Sequence, residues 1–205
     1  MIDKNGFVFN YYNDGEITTA TPTGQSVKFS ISGNYMVTGM AKIKLQLEET
    51  ENFSICLRVP EWSNGPVISL NGDSVAVESG YCMMEADWSD GDEIILYCNP
   101  EITKIDLNGK SAFVYGNLVL ARDEQKEEGD IKAVFTPVME DGKLVADACV
   151  PEAGETVRFL LKTQEGEVLL TDYASCGKKW MEERGTTTPP KTNSKDEEER
   201  RLIIG

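Results

Sequence analysis

FSICLRVPEW, residues 53–62, carries an apolar side chain at every second position from Phe53 to Val59. A period of two is typical of a β-strand that buries one face and leaves the other in contact with polar surroundings. Pro60 follows directly and cannot donate a ladder hydrogen bond, so the pairing ends there. The stretch predicts a half-buried strand, and the rest of the chain repeats its pattern.

The same alternation occurs in residues 27–31 and 43–47. Asn71-Gly72 lies between two alternating runs, and Asn-Gly supplies the positive φ angles that a tight hairpin needs. Further strands are predicted at residues 67–70, 74–77, 93–98, 112–115, 133–135, 144–148, 157–161 and 168–170. No segment before residue 173 shows sustained helical spacing. The sequence predicts an all-β fold, an antiparallel β-sandwich or a jelly roll.

The domain organisation is indicated by two changes in composition. The strand pattern pauses at Asn99-Pro100, which predicts a β-sandwich lobe over residues 1–100 and a second lobe, or a continuation of the sandwich, over residues 101–181. The polar stretch 122–130 is predicted to be a loop. Residues 182–205 have almost no apolar side chains, so a disordered tail is expected there.

Charge and composition exclude several classes of function. The chain has a formal net charge of -15 and no histidine. Repulsion between like charges opposes binding to nucleic acid or to anionic membranes. The five cysteines form no C-x-x-C pair, so no metal site and no cofactor are predicted. The cysteines are odd in number and far apart in the sequence, which is typical of a reducing compartment, and no apolar segment is as long as a signal peptide or a membrane span. Together these features predict a cytoplasmic protein.

Four motifs in order resemble the β-sandwich that follows the catalytic barrel in glycoside hydrolase family 127, the β-L-arabinofuranosidase-like proteins. They are RVPEW at 58–62, WSDGD at 88–92, YGNLVLA at 115–121 and DYASCGKKW at 172–180. In that family a zinc-bound cysteine thiolate of a helical (α/α)6 barrel attacks the sugar, within a Cys-Cys-Pro-Pro-Asn motif. This chain has no adjacent cysteines, so no catalytic residue can be transferred to it.

The resemblance predicts a non-catalytic accessory module that buttresses a catalytic barrel absent from this chain, or that self-associates. The first alternative is a carbohydrate-binding module for arabinose-containing glycans, with Trp62, Trp88, Tyr11 and Tyr12 as candidate contacts. For both tryptophans we favour a structural role, as core residues or as a seal against the absent barrel, and the two tyrosines could be strand-end anchors. The second alternative is an autonomous glycosidase, which would need two carboxylates converging in a cleft.

Overall fold

The computed structural model describes residues 2–3, 5–77, 80–123 and 133–176. The contacts within the chain divide it into two compact units, Met1–Pro100 and Glu101–Gly205. Almost every regular element is a β-strand, so the predicted all-β, sandwich-like fold is confirmed. The predicted tail, 182–205, and most of the polar stretch 122–130 lie outside the described residues.

The first unit contains ten strands and one short helix in its described part. In chain order they are β1 Ile2–Asp3, β2 Gly6–Phe9, β3 Gly15–Ala20, β4 Ser26–Ser32, α1 Tyr35–Thr38, β5 Met40–Leu47, β6 Glu51–Val59, β7 Val67–Leu70, β8 Asp73–Val75, β9 Gly80–Trp88 and β10 Glu93–Tyr97. They form a four-stranded sheet in the order β1-β2-β6-β9 and a six-stranded sheet in the order β3-β4-β5-β10-β7-β8.

The core of this unit lies between the two sheets. The alternating side chains predicted to be buried in β4, β5 and β6 are all buried. Phe7 of the four-stranded sheet packs edge-on against Phe29 of the six-stranded sheet, with ring centroids 4.9 Å apart. It also packs against Phe53 at 5.3 Å. Two apolar sheet faces in contact are the arrangement of a β-sandwich.

One strand pair departs from the predicted antiparallel arrangement. β2 runs parallel to β6, with Phe7 opposite Ile55. A parallel pair needs a long crossover, and here β3, β4 and β5 supply it in the other sheet. The backbones of β2 and β6 approach closely at Gly6, where a Cβ atom would lie 1.9 Å from the carbonyl oxygen of Ser54. Alternating apolar residues show which face is buried but carry no information about strand direction.

The predicted hairpin at Asn71-Gly72 is confirmed. Leu70 pairs with Asp73 across a two-residue turn, and Asn71 and Gly72 have φ angles of 52° and 92°. Both angles are positive, as the preferred hairpin turn requires.

The second unit is built around a six-stranded antiparallel sheet in the order β11-β12-β13-β18-β17-β16. In chain order its strands are β11 Ile102–Leu107, β12 Lys110–Tyr115, β13 Leu118–Ala121, β14 Met139–Glu140, β15 Lys143–Leu144, β16 Ala146–Ala148, β17 Arg158–Thr163 and β18 Gly166–Asp172, before a 3-10 turn at Tyr173–Ser175. β14 and β15 form a separate hairpin. Phe113, Leu120, Leu161 and Leu170 are among its buried side chains.

Two strand predictions in the second unit are corrected. The strand predicted at 133–135 is wrong: Val134 is 91% exposed, and Phe135 is held by ring stacking on Phe113 at 5.8 Å instead of by a ladder. The strand predicted at 144–148 is interrupted at Val145. The N–H of Val145 donates to Val138, and its carbonyl accepts from Lys162, so this residue bonds to two neighbouring segments.

No helix within the described residues is long and apolar enough to cross a membrane.

Candidate functional site

Three aromatic rings from separate elements meet at one end of the first unit, which we call the aromatic end. Tyr12 follows β2, Tyr35 begins α1 and Trp62 follows β6. The ring centroids of Tyr12 and Tyr35 are 4.8 Å apart, and those of Tyr35 and Trp62 are 6.1 Å apart. The hydroxyl of Tyr12 donates to the carbonyl oxygen of Arg58 at 2.7 Å. The aromatic end therefore ties the loop after β2 to the end of β6.

The sequence around α1 explains how Tyr35 reaches this position. Asn34 has a φ of 55°, and its N–H donates to the carboxylate of Asp14 at 3.0 Å. Gly39 ends the helix at a φ of 70°, which glycine adopts without strain. One helical turn between two left-handed residues turns Tyr35 into the core, where its hydroxyl lies 3.5 Å from Sγ of Cys98.

The buried phenols of the aromatic end are poor groups for acid or base chemistry. Burial raises the pKa of Tyr12 and of Tyr35 far above the ordinary value of a phenol. Both side chains are therefore neutral across the physiological pH range. Their role in the structure is packing and hydrogen bonding.

The four candidate carbohydrate contacts do not form one surface. Tyr11 is 77% exposed, Trp62 is half-buried, and Tyr12 and Trp88 are buried. Trp88 is fully inaccessible; its Nε1–H donates to the carbonyl oxygen of Phe53 at 2.8 Å, and the two rings stack at 5.9 Å. Tyr12 and Trp88 have no ring face to offer a sugar, because both are needed inside the core.

Trp88 also lies at the opposite end of the unit from the other three candidates. It ends β9, whereas Tyr81, near the start of that strand, donates a hydrogen bond to Asn10 in the loop that holds Tyr11 and Tyr12. Seven residues at ~3.3 Å each separate the two ends of the strand by roughly 23 Å. Only Tyr11 and Trp62 remain as accessible candidates at the aromatic end.

A second surface was not found from the sequence. It lies on the side of the four-stranded sheet turned away from the core, and we call its part formed by Val8, Cys56, Arg58, Tyr81 and Met83 the outer face. The same side continues toward Trp88 with the polar residues Asn52, Ser54, Glu85 and Asp87. Cys56 lies opposite Met83, and Arg58 lies opposite Tyr81. Met83 is 73% exposed and Tyr81 is 54% exposed. The first half of β9 has apolar residues on both faces of the strand: Cys82 and Met84 point into the core, and Tyr81 and Met83 point outward. This departure from strict alternation is the feature of the sequence that could have indicated an apolar outward surface.

The outward side of the six-stranded sheet has a different character. Lys28 pairs with Glu16, and Lys42 pairs with Glu93, each at 2.8 Å. Exposed ion pairs of this kind are solvated and contribute little to stability, so they need no covering partner. Apolar side chains also gather at one end of that side, at Met40, Val67, Ile95 and Tyr97. The outer face differs in Arg58, which has no carboxylate partner among the described residues and lies beside exposed apolar groups.

No group of three or more His, Cys, Asp or Glu side chains in the described ranges is arranged to hold a metal ion. All five cysteines are free thiols. Burial raises the pKa of Cys56, the cysteine of the outer face, which disfavours the nucleophilic thiolate.

The motif that begins with Asp172 has a structural role in the second unit. Its carboxylate accepts hydrogen bonds from the N–H of Thr156 at 2.7 Å, the N–H of Ser175 at 3.1 Å and the hydroxyl of Ser175 at 2.7 Å. Burial of Asp172 opposes ionisation, but these hydrogen bonds outweigh it and hold the pKa below its usual range. Asp172 and Ser175 thus cap the turn at Tyr173–Ser175 and bind it to the loop before β17.

A comparable buried carboxylate lies in the first unit. Glu51 accepts hydrogen bonds from the N–H of Thr23 at 3.0 Å and from Nε2 of Gln25 at 2.8 Å. Burial favours its protonated form, yet these bonds lower its pKa to about 2. Glu51 lies opposite Trp88, away from the aromatic end, and it fastens the loop between β3 and β4 to β6.

Comparison with known protein families gives one match. Residues 7–99 match the family model described as the middle domain of GH127 beta-L-arabinofuranosidase. The match begins within β2, so it includes β3, β4 and β5, which the sequence motifs from residue 58 onward did not cover. No curated protein matches the chain.

Solved structures share the fold. A GH127 beta-L-arabinofuranosidase from Geobacillus stearothermophilus T6 matches with a TM-score of 0.69 at 21% identity, over 82% of this chain and 31% of its own. Another GH127 beta-arabinofuranosidase matches with a TM-score of 0.69 at 16% identity, over 82% of this chain and 32% of its own. A structure described as a glycoside hydrolase matches with a TM-score of 0.63 at 17% identity, over 86% of this chain and 34% of its own. The chain therefore has the fold of about one third of these longer proteins, and residues 7–99 are similar to the GH127 middle domain.

Proposed function

We propose that this chain is a non-catalytic β-sandwich module of a GH127-like protein and that it buttresses a catalytic domain outside the chain. The observation that carries the proposal is the match of residues 7–99 to the GH127 middle domain, together with structural matches that span only about a third of each longer protein. Residues 1–100 would form the lobe that matches that domain, and residues 101–181 a second lobe.

The outer face is the surface that suits such a contact. Tyr, Met and Arg are enriched at protein interfaces, and an aromatic ring beside an arginine is a common energetic centre. Arg58 lies opposite Tyr81, next to Met83 and Cys56. The matching surface on the catalytic domain would have an apolar centre and a carboxylate placed to pair with Arg58.

The size of the outer face favours a covalently linked partner over a separate one. The whole outward side of the four-stranded sheet, with strands of two, four, nine and nine residues at ~3.3 Å each and ~4.8 Å apart, covers roughly 400 Å², so the outer face is no larger than this. A stable complex between separate proteins buries about 800 Å² on each partner. A linked domain is held at a high effective concentration and needs less area. Self-association through this face alone is correspondingly disfavoured.

The isolated chain is expected not to hydrolyse aryl β-L-arabinofuranosides above the uncatalysed rate. Retaining hydrolysis needs an activated nucleophile beside a proton donor. The sequence has no histidine and no adjacent cysteines. Release of the aryl group would be followed with the purified chain. Turnover that survives extensive purification and disappears when one Asp or Glu is replaced would contradict the assignment.

Docking of this chain on a catalytic domain can be tested with the G. stearothermophilus enzyme, produced without the third of its length that matches this chain. Mixed with that protein at high concentration, because a face of this size binds only weakly without a covalent link, the chain should show slower amide hydrogen exchange along β6 and β9. Arg58→Gln and Met83→Ser should each weaken binding roughly tenfold, since loss of an interface anchor typically costs about 1–2 kcal/mol. Both side chains are exposed in the chain itself, so its stability should change by less than about 0.5 kcal/mol.

Matched controls are provided by the six-stranded sheet. Lys44→Gln removes an outward cation from a central strand, and Val67→Ser removes an exposed apolar side chain. Neither should change binding. Equal effects of the control and test variants, protection along β5 and β10 instead, or no binding at any concentration would overturn the outer-face assignment.

A carbohydrate-binding role is supported by the exposed ring of Tyr11, which precedes Tyr12 of the aromatic end. The hydrogen bond from Tyr81 to Asn10 holds the loop that carries it. The same exchange measurement with arabinan in place of protein separates the two roles. Sugar binding would protect residues 10–12 and 61–63, whereas β9 would keep its exchange rate.

A further inference from the structure

The chain contains the tripeptide Leu-Asn-Gly at the turns of two hairpins, residues 70–72 and 107–109. Both turns have two central residues with positive φ, 52° and 92° at Asn71 and Gly72, and 54° and 74° at Asn108 and Gly109. Both pairs are exposed to solvent. The preceding residue, the backbone conformation and the accessibility are therefore matched.

The two asparagine side chains differ in their hydrogen bonds. Nδ2 of Asn71 donates to Oδ1 of Asp92 at 2.9 Å, and its Oδ1 accepts from the N–H of Glu93 at 2.8 Å. Both ends of that amide are held by the segment leading into β10. The amide of Asn108 has no hydrogen-bond partner among the described residues, because the β11–β12 hairpin projects its turn into solvent.

We propose that Asn108 is a site of spontaneous deamidation and that Asn71 is protected from it. In this reaction the backbone nitrogen of Gly109 loses its proton and attacks Cγ of Asn108. A new C–N bond closes a succinimide ring while the Cγ–Nδ2 bond breaks, and Nδ2 leaves as ammonia with the proton. Water then opens the ring at either carbonyl and leaves aspartate or isoaspartate at position 108.

The hydrogen bonds of Asn71 oppose this reaction at two points. The amide must rotate until Cγ faces the nitrogen of Gly72, which breaks the bonds to Asp92 and Glu93. Both hydrogen bonds must break before the ring can close, and this cost slows ring closure roughly ten- to hundredfold. Asn108 rotates without that cost, and Gly109, having no side chain, does not shield its own nitrogen.

The product changes the hairpin between β11 and β12. Either product adds one negative charge to a chain whose net charge is already -15. Isoaspartate also adds a methylene to the backbone of a two-residue turn, whose register depends on its length. The pairing of Leu107 with Lys110 across this turn would then be strained.

The test is peptide mapping by mass spectrometry of the full chain held at mildly alkaline pH, with aspartate and isoaspartate peptides separated by chromatography. In the folded protein the peptide containing Asn108 should convert roughly ten- to hundredfold faster than the peptide containing Asn71. In denaturant the two rates should agree within a few-fold, because both sites read Leu-Asn-Gly. Asp92→Ala should speed conversion at Asn71 and leave Asn108 unchanged.

Equal rates in the folded protein would overturn the inference. A difference that persists in denaturant would do the same, since it would then arise from sequence instead of from the hydrogen bonds of the fold.

Discussion

Trp88→Ala is expected to lower the free energy of unfolding by about 3–5 kcal/mol, the usual cost of removing a fully buried large aromatic side chain. Trp88 has no accessible surface, stacks on Phe53 and donates its Nε1–H to the carbonyl oxygen of that residue. The substitution leaves a cavity in the sandwich and removes the hydrogen bond from the indole to Phe53. Urea unfolding followed by circular dichroism measures the change.

Trp62→Ala is the matched control, because Trp62 is only half-buried at the aromatic end. We expect it to cost about 1–2 kcal/mol, in proportion to the smaller apolar area that it buries. Trp88→Phe keeps the ring packing and removes the hydrogen bond, at a cost of about 1–3 kcal/mol. If Trp88→Ala cost no more than Trp62→Ala, the position of Trp88 in the core would be wrong.

Asp172→Asn is expected to destabilise the second unit by about 2–4 kcal/mol at neutral pH. The carboxylate accepts hydrogen bonds at both oxygens, from Ser175 at Oδ1 and from Thr156 and Ser175 at Oδ2. An amide of the same size presents NH2 at one of those positions, and a buried donor without an acceptor costs about 1–3 kcal/mol. Unfolding of the wild-type and variant chains in urea gives the difference.

The pH dependence of that difference identifies the charged form as its cause. The pKa of Asp172 is lower in the folded chain than the ordinary value of about 3.9. Its stabilisation is therefore complete above that value and is lost as the pH falls through the lower, folded-state pKa. The difference between wild type and Asp172→Asn should shrink in strong acid.

Asp106→Asn is the control for this measurement. Asp106 is exposed, pairs with Lys104 at 2.9 Å and accepts a hydrogen bond from the hydroxyl of Ser111, and water can replace both contacts, so its replacement should change stability far less than Asp172→Asn does. A difference for Asp172→Asn that stayed constant from neutral to strongly acidic pH would show that shape, not charge, is responsible.

Much of the fold could be predicted from local pattern. The alternation in residues 53–59 identifies β6 and its buried face, and Asn71-Gly72 identifies a hairpin, because in both cases the determinant lies within a few residues. The parallel pairing of β2 with β6 could not be predicted this way, since it depends on which sheet the intervening strands join. α1 was missed because four residues are too few to show a helical period.

The candidate surfaces were harder to predict for a related reason. Trp62 and Trp88 both lie next to a strand end, yet one is half-buried and the other fully enclosed. The difference is set by which sheet covers each ring, and that is a property of tertiary packing. The outer face had a usable signal in the apolar residues on both faces of β9. The hydrogen bonds that distinguish Asn71 from Asn108 involve Asp92 and Glu93, which only the folded chain brings near.

The parallel pair of β2 and β6 also affects how the chain folds during synthesis. Phe7 is made early, but its partner Ile55 follows only after β3, β4 and β5 have been made. Until then β2 has no neighbour except the two-residue β1, while β3, β4 and β5 can already pair with one another as sequential hairpins. Contacts between residues distant in sequence form slowly, because the loop between them must first be closed. The four-stranded sheet, and with it the outer face, is therefore assembled after the hairpins of β3, β4 and β5, and β2 is enclosed later than these strands although it is made before them.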